Sequence, residues 1–320
     1  MIKFWNDRRF WMISIQVALL VLVVAFGFLL LQNLERNLQE QGMSLGFNFL
    51  SSQAAFDIRE TLIKYDRSST YFSALLIGLL NSLRVLVLGI TLATVLGLII
   101  GVCRLWDNWL LRKISLVYIE VLRNTPLLLQ LLFWYSVVFL SLPGIENAIK
   151  GPLGVYLSKQ VIALPLPWTI PRIMENGKIV GGIQFSPEFS ALLIGLALHT
   201  AGFIAEIVRA GIESVPKGQW EAAKSLGLNP TLVMRLVIFP QGLRTMIPSI
   251  TSQYLNLAKN TSLAIAIGYP DIYFVASTTF NQTGRAVEVM IILMATYLII
   301  SLIISVFMNF YNKSVQLKER

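Results

Sequence analysis

The stretch "SVPKGQWEAAKSLGLNPTLVMRLVIFPQGLRTMIP", Ser214–Pro248, sets charge, glycine and proline between apolar runs of membrane length. Pro216 suits a first helical turn, and Lys217 to Leu226 is, Gly218 apart, a run of good helix formers. Gly227 supplies a left-handed C-cap, Asn229 an N-cap and Pro230 the first position of a second helix, expected to run towards Phe239 and stop at Pro240. The pattern predicts a helix, a sharp corner and another helix. Small Ala222 and Ala223 would admit a foreign surface close to the backbone, and Glu221 offers a charge to a basic partner. The same residues also fit an amphipathic helix lying on a bilayer, with Lys224 and Arg235 towards anionic lipid. Both readings need one apolar and one charged face, so the stretch alone does not separate them.

The flanks decide the solvent. Of 320 residues 55% are hydrophobic and 13% charged, and the mean hydropathy is +0.68, well to the apolar side of soluble composition. This is the composition of an integral membrane protein. Trp11 to Leu31 runs about 20 residues without a charge, enough to cross a hydrocarbon core as a helix, and no small-residue cleavage site follows it. Further runs occupy Phe72–Cys103, Ile114–Leu142, Phe189–Val208, Ile247–Ala276 and Val287–Phe310, so six spans are expected. Gln253, Asn256, Lys259 and Asn260 interrupt the fifth, and such polarity persists in a bilayer where it faces protein or water. That span is expected to form a wall of a pathway.

One cysteine and one histidine leave no internal disulfide and no His/Cys metal cluster. The net charge of +9 is not gathered in one patch for nucleic acid; it flanks the apolar runs. Lys3, Arg8 and Arg9, then Arg104, Arg112 and Lys113, then Lys313, Lys318 and Arg320 fall on one side of a six-span chain, which puts both termini in the cytoplasm. The same topology places residues 35–71 and 143–187 outside, the second containing "ALPLPWTIPR" and expected to be extended chain and turns. Residues 211–242 then lie in the cytoplasm. No repeat of fixed period stands out, and no G-x-x-x-x-G-K-[ST] loop occurs, so the chain is not expected to hydrolyse ATP.

"EAAKSLG" followed by "VIFP" resembles the EAA loop of ABC importer permeases. "FIAEIVRAGIESVPKGQWEAAKSLG", "PQGLRTMIPS", "NLAKNTSLA" and "EVLRNTPLLLQLLFWY" extend the resemblance to permeases of polar amino-acid importers over about residues 72–312. The extra N-terminal span, "GFNFLSSQAAFDIRETLIKY" and "RNTPLLLQLLFWY" narrow it to the general L-amino-acid subfamily. Two departures are small: Asn124 stands where many relatives have glycine, and Val237 and Phe239 precede Pro240 where Ile and Leu are expected.

The resemblance implies an all-α integral membrane fold of about six transmembrane helices, one N-terminal extra helix plus a five-helix core, with cytoplasmic coupling helices. Its parts would be residues 1–71 (first helix and external segment), 72–312 (permease core, with an external insertion at 143–187 and the coupling loop at 214–240) and 313–320 (cytoplasmic tail). Lys217, Glu221, Ala222, Ala223, Leu226 and Gly227 would dock into a groove on an ATPase. The implied partners are two ATPase subunits, a paralogous permease chain in a heterodimer, an extracytoplasmic amino-acid-binding protein, an L-amino-acid substrate and the bilayer of a bacterial inner membrane, with no nucleic acid. No cofactor is expected on this chain; ATP and Mg would act through the ATPases, driving alternating access.

A free amino acid is a zwitterion, so its site should offer an anion to the ammonium and a cation or donors to the carboxylate. Glu206 and Arg209, three residues apart, share a helix face and could do both, or could simply pair with each other. The resemblance places them in the substrate pocket, with Thr200 two turns earlier. Gln130 is a lone amide in an apolar run and needs a partner, either a neighbouring helix or substrate; the resemblance favours substrate. Arg123, Asn124, Thr125 and Pro126 are expected to set a helix break or gate. Asn256, Lys259, Asn260 and Thr261 either line the pathway or bond within their span, and His199 reads as a structural residue rather than a proton relay. Two rival classes lack support: an ion-coupled transporter needs coupling-ion sites and usually internal repeats, and a membrane enzyme needs a metal cluster, an activated nucleophile or paired carboxylates.

Overall fold

The structure, a computed structural model, describes residues 8–40, 45–174 and 178–315. Lys3, Lys318 and Arg320, and the tail beyond Val315, lie outside the described residues. The chain divides into two units, Met1–Phe49 and Leu50–Arg320. The smaller holds helix α1, Arg8–Glu40. None of its described side chains is buried, and Leu20, Val24, Phe28 and Leu31 are each at least 63% exposed. A helix of this length that is apolar on every face suits a lipid surround.

The larger unit begins with the segment from Leu50 and α2, Tyr71–Leu105, whose N-cap Thr70 accepts from the Ser73 amide. Helix α3, Trp109–Asn124, starts at the Asn108 cap, and α4, Leu127–Leu132, passes into a π-helical turn that ends at Phe139. Among the described residues six short strands follow: β1 (Ile149–Lys150), β2 (Tyr156–Leu157), β3 (Ile162–Leu164), β4 (Arg172–Ile173), β5 (Ile179–Val180) and β6 (Ile183–Phe185). They pair antiparallel, β1-β2-β3-β6 in one sheet and β4-β5 in another, so the expected extended insertion is a small β-structure on a helical protein. Then come α5 (Pro187–Glu213), α6 (Lys217–Ser225), α7 (Pro230–Leu232), α8 (Phe239–Asn260) with a 3-10 continuation to Ile267, α9 (Ile272–Thr283) and α10 (Ala286–Val315).

Four described helices are long and apolar enough to span a bilayer, and six spans result if each of two bent pairs counts as one. The expected third span is one such pair, bent by 107° between α3 and α4; the fifth is the other, bent by 55° before α9. Pro126 removes a donor and disfavours helix at Thr125, which explains the sharper bend. Pro240 does not stop the second helix of the corner as expected. From α7 the chain winds through a π-helical stretch, Val233–Ile238, straight into α8. There the Phe239 amide reaches back to the Met234 carbonyl, and this wider winding accommodates a proline that has no donor to give.

Packing against α5 organises the core. A Cβ placed on Gly97 or Gly101 of α2 would lie 2.6 Å from Ile204 or 2.7 Å from the Ala205 carbonyl oxygen, so these two helices touch nearly backbone to backbone. Further along α5 the same happens with α8: a Cβ on Gly242 would meet the Gly211 carbonyl oxygen at 2.8 Å. The segment from Leu50 to α2 belongs to this larger unit. Asn81 donates to the carbonyls of Glu60 (3.0 Å) and Pro270 (2.9 Å), and Arg84 pairs with Glu60 at 3.3 Å. Burial pushes the Glu60 carboxyl above its ordinary range, against the opposing pull of a Ser186 hydrogen bond and the Arg84 charge.

Candidate functional site

Helix α5 carries Glu206 and Arg209 on one face, as their spacing predicts. Arg209 Nε donates to both Glu206 oxygens at 3.1 Å, and Nη1 donates to Glu213. Pairing is thus the observed state of Arg209, yet Glu206 has a second surround. It lines a cavity of about 380 Å³ together with Arg123, Phe203, Ser249, Ser252 and Gln253. Arg123 reaches this cavity because α3 ends just before the sharp bend. Its stem lies beside Gly202, where a Cβ would stand 3.5 Å from Arg123 Cγ, and its guanidinium sits 5.2 Å from the centre of the Phe203 ring. An anion on α5 and a cation from α3 therefore share one hollow, closed on a third side by hydroxyls and an amide of α8. That is the pair of charges a zwitterion requires.

The other expected substrate contacts are distributed differently. Thr200 is buried at 4% exposure and is not in the lining of that cavity. Asn256 is exposed and Asn260 half-buried; with Ser249, Ser252 and Gln253 they recur every three or four residues along one side of α8. Arg123, Ser249 and Ser252 were not singled out as contacts by sequence, and the recurring polar spacing along α8 was the signal available. Thr261 is buried and donates to the Ala258 carbonyl, the local bonding that was one of its two readings.

Gln130 bonds a neighbouring helix and the break beside it. Its Nε2 donates to the carbonyls of Leu122 (2.8 Å) and Thr125 (2.9 Å) and lies 3.0 Å from His199 Nδ1 on α5. Carbonyls at the end of α3 have no helical donors ahead of them, and this side chain supplies them. The expected break at Asn124–Pro126 is thus held by a named group, and His199 serves it, with its other face against Phe203.

In the corner, Pro216 takes the cap position just ahead of α6, Gly227 adopts φ +76°, and Asn229 accepts from the Leu232 amide. Ala223, expected with Ala222 to let a partner surface approach the backbone, is 3% exposed and packs inward in the cluster of Val215, Val233, Ile238 and Met246, flanked by Trp220. The helix phase is set by that apolar side, which leaves Lys217, Glu221, Ala222 and Leu226 outward, Leu226 at 80% exposure. No atom stands within 4 Å of a Cβ placed on Gly218 or Gly227, so the outer side of the corner is open.

Residues 93–317 match the family described as binding-protein-dependent transport system inner membrane component. The chain is 40% identical to a putative amino-acid ABC transporter permease protein, YhdX, of Escherichia coli, over 95% of this chain and 94% of that one. It is 38% identical to the general L-amino acid transport system permease protein AapQ of Rhizobium johnstonii, over 98% and 94% respectively. Among solved structures it resembles an amino acid ABC transporter crystallised with histidines, at 27% identity and a TM-score of 0.57, covering 76% of this chain and 95% of that one.

Proposed function

We propose a function from a fixed premise: the chain belongs to the family of binding-protein-dependent transport system inner membrane components, and it is the permease of an amino-acid ABC importer. It is a transporter subunit rather than a catalytic chain. Its pathway runs along α5 and α8, and the amino acid is held by its backbone groups, the ammonium at Glu206 and the carboxylate at Arg123. The observation that carries this is the cavity in which these two charges meet with Ser249, Ser252 and Gln253. Arg209, tied to Glu206 and Glu213, orients the carboxylate.

The polar side of α8 is exposed in the single chain, which fits a second permease subunit, a paralogue, completing the pathway there. The outer side of α6 docks on a separate ATPase through Leu226, with Lys217, Glu221 and Ala222 around it. ATP-driven closure of the ATPase pair pushes on this corner and opens the pathway outward; hydrolysis returns it. A binding protein delivers substrate on the face that carries the β-structure. The setting is a bacterial inner membrane with both termini cytoplasmic.

The test is ATP hydrolysis and amino-acid uptake by the reconstituted complex. Glu206→Gln should abolish uptake while binding-protein-stimulated hydrolysis persists, and Leu226→Asp should uncouple both. Uptake without any ATPase, driven by an ion gradient, would overturn the reading.

A further inference from the structure

At the end of α5 away from Glu206 lies a second polar cavity, of about 320 Å³, in the size range of small-molecule sites. Its wall includes Asp57, Arg59 and Glu60 from the segment before α2, Tyr135 from the turn after α4, Glu188 at the start of α5 and Phe274 of α9; Asp57 is paired with Arg67 and Glu60 with Arg84, which leaves Arg59 and Glu188 as the charges facing each other. No residue is shared with the lining of the Glu206 cavity, and Glu188 and Glu206 are 18 positions apart, roughly 27 Å along the helix.

The ion pair across this cavity is lopsided. Arg59 Nη1 donates to Glu188 Oε1 at 3.1 Å, but the Arg59 side chain is 81% exposed and that of Glu188 only 12%. Tyr135 contributes a long contact, 3.4 Å, to the same oxygen. The second oxygen, Oε2, is buried with no hydrogen-bond partner among the described residues. A desolvated carboxylate oxygen without a donor is an unfilled acceptor for a cationic group. Arg59 is a cation on a solvent-borne stem that can swing and take an anion with it. A lone cation entering at Glu188 would strand Arg59, whereas a zwitterion satisfies both at once.

We propose that this cavity is an outer holding site for an amino-acid zwitterion, its ammonium on Glu188 and its carboxylate on Arg59, filled before the Glu206 cavity. The proposal rests on the amino-acid importer reading. The site reads only backbone groups and is indifferent to the side chain.

The test uses the full importer complex in lipid nanodiscs, with Cys103→Ser and Phe274→Cys, and measures the rate of maleimide labelling at the cavity wall. L-glutamine and L-alanine should each slow labelling about tenfold; glutaramic acid, which lacks the ammonium, and 4-aminobutanamide, which lacks the carboxylate, should not. Arg59→Gln and Glu188→Gln should each raise the half-protecting concentration about tenfold, the loss of one charge-assisted contact. Glu206→Gln should leave protection intact. Absence of protection, equal protection by the amine alone, or protection only by the binding protein would each overturn the proposal. ATP-driven uptake by the same variant in sealed proteoliposomes keeps the two readings apart: uptake without protection removes the holding site and leaves the importer standing.

Discussion

Neighbouring alanines of the corner should respond oppositely to the same substitution. Ala223 is 3% exposed against Val233 and Ile238, whereas Ala222 faces outward. An aspartate at position 223 must either ionise without a partner or keep its proton at pH 7. Holding a carboxyl neutral about three units above its usual pKa costs about 4 kcal/mol. Undocking α6 relieves that cost, so Ala223→Asp should favour local opening by up to about a thousandfold. Ala222→Asp changes an exposed site and should stay within about 0.5 kcal/mol, roughly twofold. Lys217 and Lys224 bracket the position and provide tryptic sites in α6. Limited trypsin digestion of the purified chain, at protease levels where cleavage follows the open population, therefore reads the difference directly. Ala223→Asp should be cut orders of magnitude faster than native, and Ala222→Asp at nearly the native rate while losing ATPase coupling in the complex. Equal, slow cleavage of both variants would refute the inward placement of Ala223 and return it to the docking face.

Other perturbations follow from the same contacts. Gln130→Leu strands the Leu122 and Thr125 carbonyls and should cost about 1–3 kcal/mol, seen as a lower melting temperature in detergent. Gly101→Ala brings a methyl within 2.7 Å of the Ala205 carbonyl oxygen, which cannot rotate away, so the overpacking cost of about 1–3 kcal/mol should exceed the helix-propensity gain and lower the melting temperature. The Glu60 carboxyl holds its proton more tightly when folded, so its contribution to stability is complete below its ordinary value of 4.5 and fades as pH rises through the raised one. Melting curves from pH 4 upward should flatten in Glu60→Gln relative to native; identical slopes would contradict the burial assigned to this carboxylate.

The corner was legible because its determinants are local: proline before α6, a glycine with positive φ, an asparagine cap. The phase of α6 was not, since Ala222 and Ala223 are equivalent until Trp220 and Val233 choose the inner side. The break at Thr125–Pro126 could be read from proline chemistry, but its consequence, Arg123 lying across Gly202 into the cavity of Glu206, depends on the direction of a 107° bend that no periodicity records. Pro240 misled because a π-helical stretch, which has no sequence signature, carries the chain past it. The β-structure between α4 and α5 uses strands of two or three residues, too short to show alternation. Nothing in the sequence around Glu60 and Glu188 signals their burial; only the fold turns them inward.

The meeting of Gly211 and Gly242 has a mechanical meaning. Where helices cross through long side chains, rotamers can yield and absorb a displacement before the partner moves. Here the Gly211 carbonyl faces the Gly242 backbone too closely to admit even a methyl, with the Met246 side chain packed at the edge of the crossing. The crossing lies just ahead of the corner on one strand of the hairpin and just after it on the other. A thrust received at α6 would thus reach α5 and α8 through a stiff joint with little slack, and turn both as one lever, with Glu206 and Gln253 riding on its two arms.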